Sequence, residues 1–144
     1  MRLIEISGGY SCAVDDGAMD EAKTAHFSSG DLLTVVPGRF KWMALKVGAH
    51  KSPYAYNRID RPGGRRFTVY LHRLLTQCPA NMYVNHIDFD TLNCQMSNME
   101  IVDAWQSSQW KRRRMDYLRS INATCAAVLS RTFIQDAERR VSSC

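Results

Sequence analysis

The chain has 144 residues and no C-x-x-C pair among its five cysteines. Cys12, Cys78, Cys94, Cys125 and Cys144 are odd in number and widely spaced. That argues against a disulfide framework or a cysteine zinc site and points to a reducing cytoplasm. No apolar run approaches the roughly 20 residues that a membrane span requires. Met1 to Ser7 alternates apolar and polar residues and lacks the apolar core of a signal peptide. Internal repeats and low-complexity tracts are also missing. The most telling absence is local: residues 77–102 contain no lysine or arginine.

What is present is ordinary in amount and uneven in placement. Hydrophobic residues make up 45% and charged residues 23%, enough for one folded domain with a possible helical appendage. The net charge is +5. Residues 1–36 carry two basic and six acidic groups, and 37–76 carry nine basic and one acidic. Residues 77–102 carry three acidic groups, and 103–144 carry eight basic and four acidic. Two basic stretches therefore flank a short acidic, amide-rich one. Basic flanks suit a polyanion backbone, and an acidic, amide-rich segment suits a divalent cation held against it.

Alternation predicts strands at residues 2–6 and 10–14 around a Gly8-Gly9 turn, and at 32–36 and 40–47. Residues 18–26 read as a short helix or loop. Tyr54 to Ile59 should pair with Arg66 to Leu71 across Arg61-Pro62-Gly63-Gly64. His72 to Leu75 reads as a helical turn ending near Cys78-Pro79. Met82-Tyr83-Val84 is a short apolar strand running into Asn85-His86, followed by eleven residues of loop composition and a second strand, 99–102. Asp103 is a good N-cap for a long helix from Ala104 to about Val128, free of Pro and Gly.

Five segments carry a family likeness. They are Leu71-His72-Arg73-Leu74-Leu75, Val84-Asn85-His86-Ile87-Asp88, Thr91-Leu92-Asn93, Ser97 to Val102, and Gln106-Ser107-Ser108-Gln109-Trp110. Together they resemble the HNH endonucleases of phages and mobile introns, members of the His-Me finger (ββα-metal) nucleases. The likeness covers about residues 4–111 and is specific at 71–110. It implies an α+β chain: a β-rich region over 1–78, a ββα-metal motif over 79–111 and a basic C-terminal helical segment over 112–144.

The resemblance also implies roles. His86 takes the position of the general base that activates a water. Asn85 and Ser107 take the metal-ligand positions for one Mg²⁺ or Mn²⁺ ion and no zinc, with Asp88 as a further oxygen donor. Asn98 and Asn93 match loop-bracing residues, and His72 is structural or phosphate-facing. Arg65, Arg66, Arg73 and Lys111, Arg112, Arg113 and Arg114 are the basic residues placed to contact double-stranded DNA. The sequence departs from the family at four places: Phe89 stands where glycine is usual, Cys94 where asparagine is, Gln95 and Met96 where arginines are common, and Ser107 where asparagine is.

The implied function is metal-dependent hydrolysis of DNA phosphodiesters in the host-cell cytoplasm by a phage-type protein. The alternative is a degenerate relative that binds nucleic acid or a protein without cleaving, and a third reading is a structural or assembly component. The C-terminal helix is a candidate surface for a protein partner or a homodimer, and no membrane role is expected.

Overall fold

A computed structural model describes residues 1–47 and 52–122. The chain divides into two compact units, Met1–Ser107 and Ser108–Cys144. The first unit holds ten strands: β1 (Arg2–Glu5), β2 (Ser11–Val14), β3 (Lys23–His26), β4 (Leu32–Val35), β5 (Met43–Val47), β6 (Ser52–Arg61), β7 (Arg65–Tyr70), β8 (Tyr83–His86), β9 (Asn93–Cys94) and β10 (Met99–Val102). It also holds helix α1 (Leu71–Thr76). Helix α2 begins at Ala104 and is described through residue 122, so the unit boundary falls inside it.

This overturns the α+β expectation. With 39% strand and two helices among the described residues, the protein is β-rich, and a ββα-metal motif is not shown. The α+β expectation comes from the family resemblance, whereas the chain is built mainly of many short strands. One of those, Lys23 to His26, carries a single buried residue, Ala25, and so shows no alternation to read. No helix among the described residues is long and apolar enough to cross a membrane.

The strands form four small sheets among the described residues: β1-β2-β9, β3-β4, β5-β6-β7 and β8-β10. The β6–β7 pairing is the long hairpin expected from the Pro62-Gly63-Gly64 turn, in register from Tyr56↔Tyr70 to Arg61↔Arg65. Gly63 and Gly64 sit at φ 90° and 76°, a left-handed backbone that glycine adopts without strain. β9 is a two-residue strand paired in parallel with β2, so the loop after β8 is tied to the N-terminal hairpin.

The core gathers around α1. Leu71, Leu74 and Leu75 fall at i, i+3 and i+4 and are buried, joined by Val14, Trp42, Ala55, Val69 and Met99. Each fully buried leucine contributes about 1.5–3 kcal/mol. α1 ends on Gln77 at φ 51°, whose backbone N–H reaches the carbonyls of Arg73 and Leu74. Cys12, Cys78 and Cys94 are buried free thiols. The Cys94 thiol is held well above its usual range by a hydrogen bond with Cys12 and by burial.

Candidate functional site

β8 and β10 pair so that His86 faces Met99 and Asn85 faces Glu100. Asn85 and His86 end the strand and are buried, at 1% and 0% exposure. Asn85 Nδ2 donates to Glu100 Oε1 at 3.3 Å. A carboxylate only accepts, so Glu100 fixes the amide with Oδ1 turned away from it. Asn85 Oδ1 is buried and receives no hydrogen bond from the described residues. A buried acceptor left this way costs about 1–3 kcal/mol, so the position favours a ligand that supplies a donor or a cation.

His86 lies in an aromatic cluster. Its ring centroid is 5.3 Å from that of His72 at the start of α1 and 6.1 Å from that of Tyr54 on β6. Tyr70 closes the cluster, 5.6 Å from His72 and 6.3 Å from Tyr54. Burial, then the nearby His86 and Arg73 charges, hold the His72 imidazole well below its usual range.

The loop 87–98 is held by its own side chains. Asn98 Oδ1 accepts the Asp88 backbone N–H at 3.0 Å, and Asn98 Nδ2 donates to Asp88 Oδ1 at 2.9 Å and to the Asn93 carbonyl at 3.0 Å. Asn93 Nδ2 donates to Asp88 Oδ2 at 2.8 Å, and the Asp90 N–H donates to Asp88 Oδ1 at 2.9 Å. Thr91 ties the loop to the Pro53 carbonyl on β6. Burial alone would raise the Asp88 carboxyl. Bonds from Asn93, Asp90 and Asn98, with the His86 charge, outweigh it and hold the group below the usual carboxylate range.

Phe89 has φ 66°, a left-handed backbone that favours glycine. Its N–H closes a turn on the His86 carbonyl at 3.0 Å. The backbone therefore keeps a glycine-like geometry with a side chain that disfavours it.

The remaining candidates separate. Asp103 Oδ1 accepts the Gln106 N–H at 2.8 Å and Gln106 Oε1 accepts the Asp103 N–H at 3.1 Å. This reciprocal cap engages the Gln106 amide oxygen at the helix start. Ser107 is buried one turn in, its N–H on the Asp103 carbonyl at 3.0 Å. Arg73 is a brace: Nη1 donates to the Met82 carbonyl and Nη2 to the Pro79 carbonyl, both at 2.9 Å. Arg66 bonds Asp60 at 2.8 Å, and Arg65 reaches Asp31 at 3.5 Å. Lys111, Arg112, Arg113 and Arg114 lie on α2 in the second unit, where the Arg114 guanidinium sits 5.8 Å from the Trp110 ring. Most of the 112–144 segment, residues 123–144, lies outside the described residues.

Sequence reasoning missed Glu100, Tyr54 and Tyr70. Glu100 was reachable by counting strand register from the loop ends. The tyrosines were not, because their contact with the histidines depends on how β6, β7 and α1 pack. Trp42 and Trp110 are buried as their size suggests, whereas Trp105 is 70% exposed.

A divalent cation fits this site in part. Asn85 Oδ1 is an available acceptor on the side of the amide away from Glu100. Asp88 and Gln106 are engaged elsewhere, and no group of three His, Cys, Asp or Glu residues arranged for a metal occurs among the described residues. No family model, curated protein or solved structure matches this chain.

Proposed function

We propose that the chain hydrolyses phosphodiester bonds of double-stranded DNA in the manner of the HNH endonucleases, with His86 as general base. One observation carries the reading. Two consecutive buried residues at the end of β8 place the His86 imidazole next to the Asn85 side chain, whose amide oxygen receives no hydrogen bond from the described residues.

Asn85 Oδ1, with Glu100 holding its amide, is the position for Mg²⁺ or Mn²⁺. When bound, such an ion stabilises charge on the leaving oxygen. His86 takes the proton of the attacking water, and His72, kept neutral by burial, does not oppose the charge that His86 then carries. The Asn98–Asp88 network holds the turn that follows His86, and so the direction of the imidazole.

A second reading, binding of nucleic acid without cleavage, is favoured by one fact. His86 is 0% exposed, and a base must meet its water. Supercoiled plasmid incubated with the protein and Mg²⁺ or Mn²⁺ separates the two. Under the first reading the plasmid is nicked or linearised, and His86→Ala slows this at least about 100-fold. Equal rates in the variant contradict the base assignment. An inert wild type that still binds duplex DNA establishes the second reading.

A further inference from the structure

The β6–β7 ribbon ends in an arrangement that pairing alone does not favour. Its register sets Arg61 directly opposite Arg65, and like charges directly opposite in an antiparallel ladder are destabilising. The carboxylate beside them is Asp31, whose Oδ2 is 3.5 Å from Arg65 Nη1. That same oxygen already accepts the Ser29 hydroxyl at 2.6 Å. Arg61 is held by neutral groups: Nη1 is 3.5 Å from the Leu32 carbonyl, and the guanidinium lies 5.7 Å from the Phe67 ring. Two guanidiniums and the Asp31 carboxylate, which reaches only Arg65, thus line a depression of about 280 Å³, with Pro62 and Phe67 as its apolar walls.

The surroundings suit an anion that is part of something larger. Positions Gly63 and Gly64 at the ribbon tip have no heavy atom within 4 Å of where a side chain would begin, so nothing there obstructs a bulky polyanion. Arg66 is different, since it is bonded to Asp60 at 2.8 Å. Guanidinium forks present paired N–H donors that match the oxygens of a phosphate, and two of them facing each other can share one group.

We propose that this depression binds one phosphate group, with Arg61 and Arg65 as its ligands. The identification of that group as a backbone phosphodiester of DNA rests on the function proposed above. Bound phosphate removes the repulsion between the two arginines, and Asp31 competes with it for Arg65.

The test measures binding of a fluorescently labelled duplex of about 20 base pairs by anisotropy across a salt series. Wild type, Arg61→Gln/Arg65→Gln and Asp31→Asn are compared. In parallel, thermal unfolding is followed in inorganic phosphate and in chloride at equal ionic strength. The double variant should bind DNA about 10-fold more weakly at low salt, with the salt slope reduced by about 1–2. Asp31→Asn keeps both arginines and should tighten binding about 3-fold, so the site stays testable if the double variant misfolds. Phosphate should raise the melting temperature of wild type and not of the double variant.

Wild-type binding matched by the double variant in affinity and slope overturns the site and leaves the DNA reading standing. Unchanged or weaker binding by Asp31→Asn also overturns it. If wild type binds no DNA but its phosphate shift vanishes in the double variant, the site stands with free phosphate as its ligand. With neither DNA binding nor a phosphate shift, the site falls together with the DNA reading.

Discussion

The loop 87–98 and the turn 62–64 both join antiparallel strands, yet the charged residues within the one and flanking the other are engaged to opposite degrees. In the loop, Asp88 accepts three hydrogen bonds within its own segment. Beside the turn, Arg61 stands opposite Arg65, and of the two only Arg65 reaches a carboxylate, that of Asp31 at 3.5 Å. The sequence reading offers Asp88 as a further metal donor and Arg65 as a DNA contact, and the bonding pattern separates the two, because a charge already saturated by fixed partners has little left for a ligand, while a charge opposed by its neighbour gains from one.

The sharpest way to break that comparison is to remove the centre of the loop network. Asn98→Ala strips partners from the Asp88 N–H, Asp88 Oδ1 and the Asn93 carbonyl, and should cost about 2–4 kcal/mol. Arg65→Gln at the ribbon should change stability by less than about 0.5 kcal/mol. Urea midpoints measure both, and similar losses would erase the distinction. A second substitution sharpens it. Phe89→Gly and Phe89→Ala lose the same ring, but only glycine relaxes at φ 66°. The glycine variant should be about 1 kcal/mol the more stable of the two.

Titration divides the loop from its neighbour on α1 with the smallest effect. His72 has a folded-state pKa below its unfolded value of about 6.5, so the unfolded chain binds more protons between the two and stability falls as pH drops below about 6.5. The melting temperature should decline by about 2–4 °C between pH 7 and pH 5.5, and His72→Gln should remove that part of the decline. Asp88, also depressed, contributes stability that is present above its unfolded value of about 3.9 and is lost only below it. Asp88→Asn should therefore leave the pH 5.5–7 profile unaltered and change the profile near pH 3. A decline near pH 6 that survives in His72→Gln assigns it to another group.

What could be read in advance follows the same physics. The β6–β7 hairpin was legible because Pro62-Gly63-Gly64 dictates the turn, whereas its register differs by one residue from the expected pairing of Tyr54–Ile59 with Arg66–Leu71, since Arg61 and Arg65 extend the strands to the turn. Asp103 was legible as a helix start, and its reciprocal bond with Gln106 was implicit in their spacing. β3 was not, because its residues carry no alternation, and the two-residue β9 is made by its parallel partner β2. Within the site, His86 and Asn85 are singled out by the resemblance to the HNH pattern, and their position at the end of a strand does not by itself mark them. The engagement of Asp88, the brace made by Arg73 and the role of Glu100 depend on neighbours brought together by folding, and composition does not encode which donor meets which acceptor.

In the proposed function, Asn85 Oδ1 is the open acceptor of a divalent-cation site next to His86. Mn²⁺ titration followed by electron paramagnetic resonance tests it without requiring cleavage. Wild type should bind one Mn²⁺, Asn85→Ala should abolish binding, and Asn85→Asp should tighten it at least about 10-fold by adding a charged oxygen to the same position. Wild type that binds no Mn²⁺, or Asn85→Ala that binds it as well as wild type, would contradict this site.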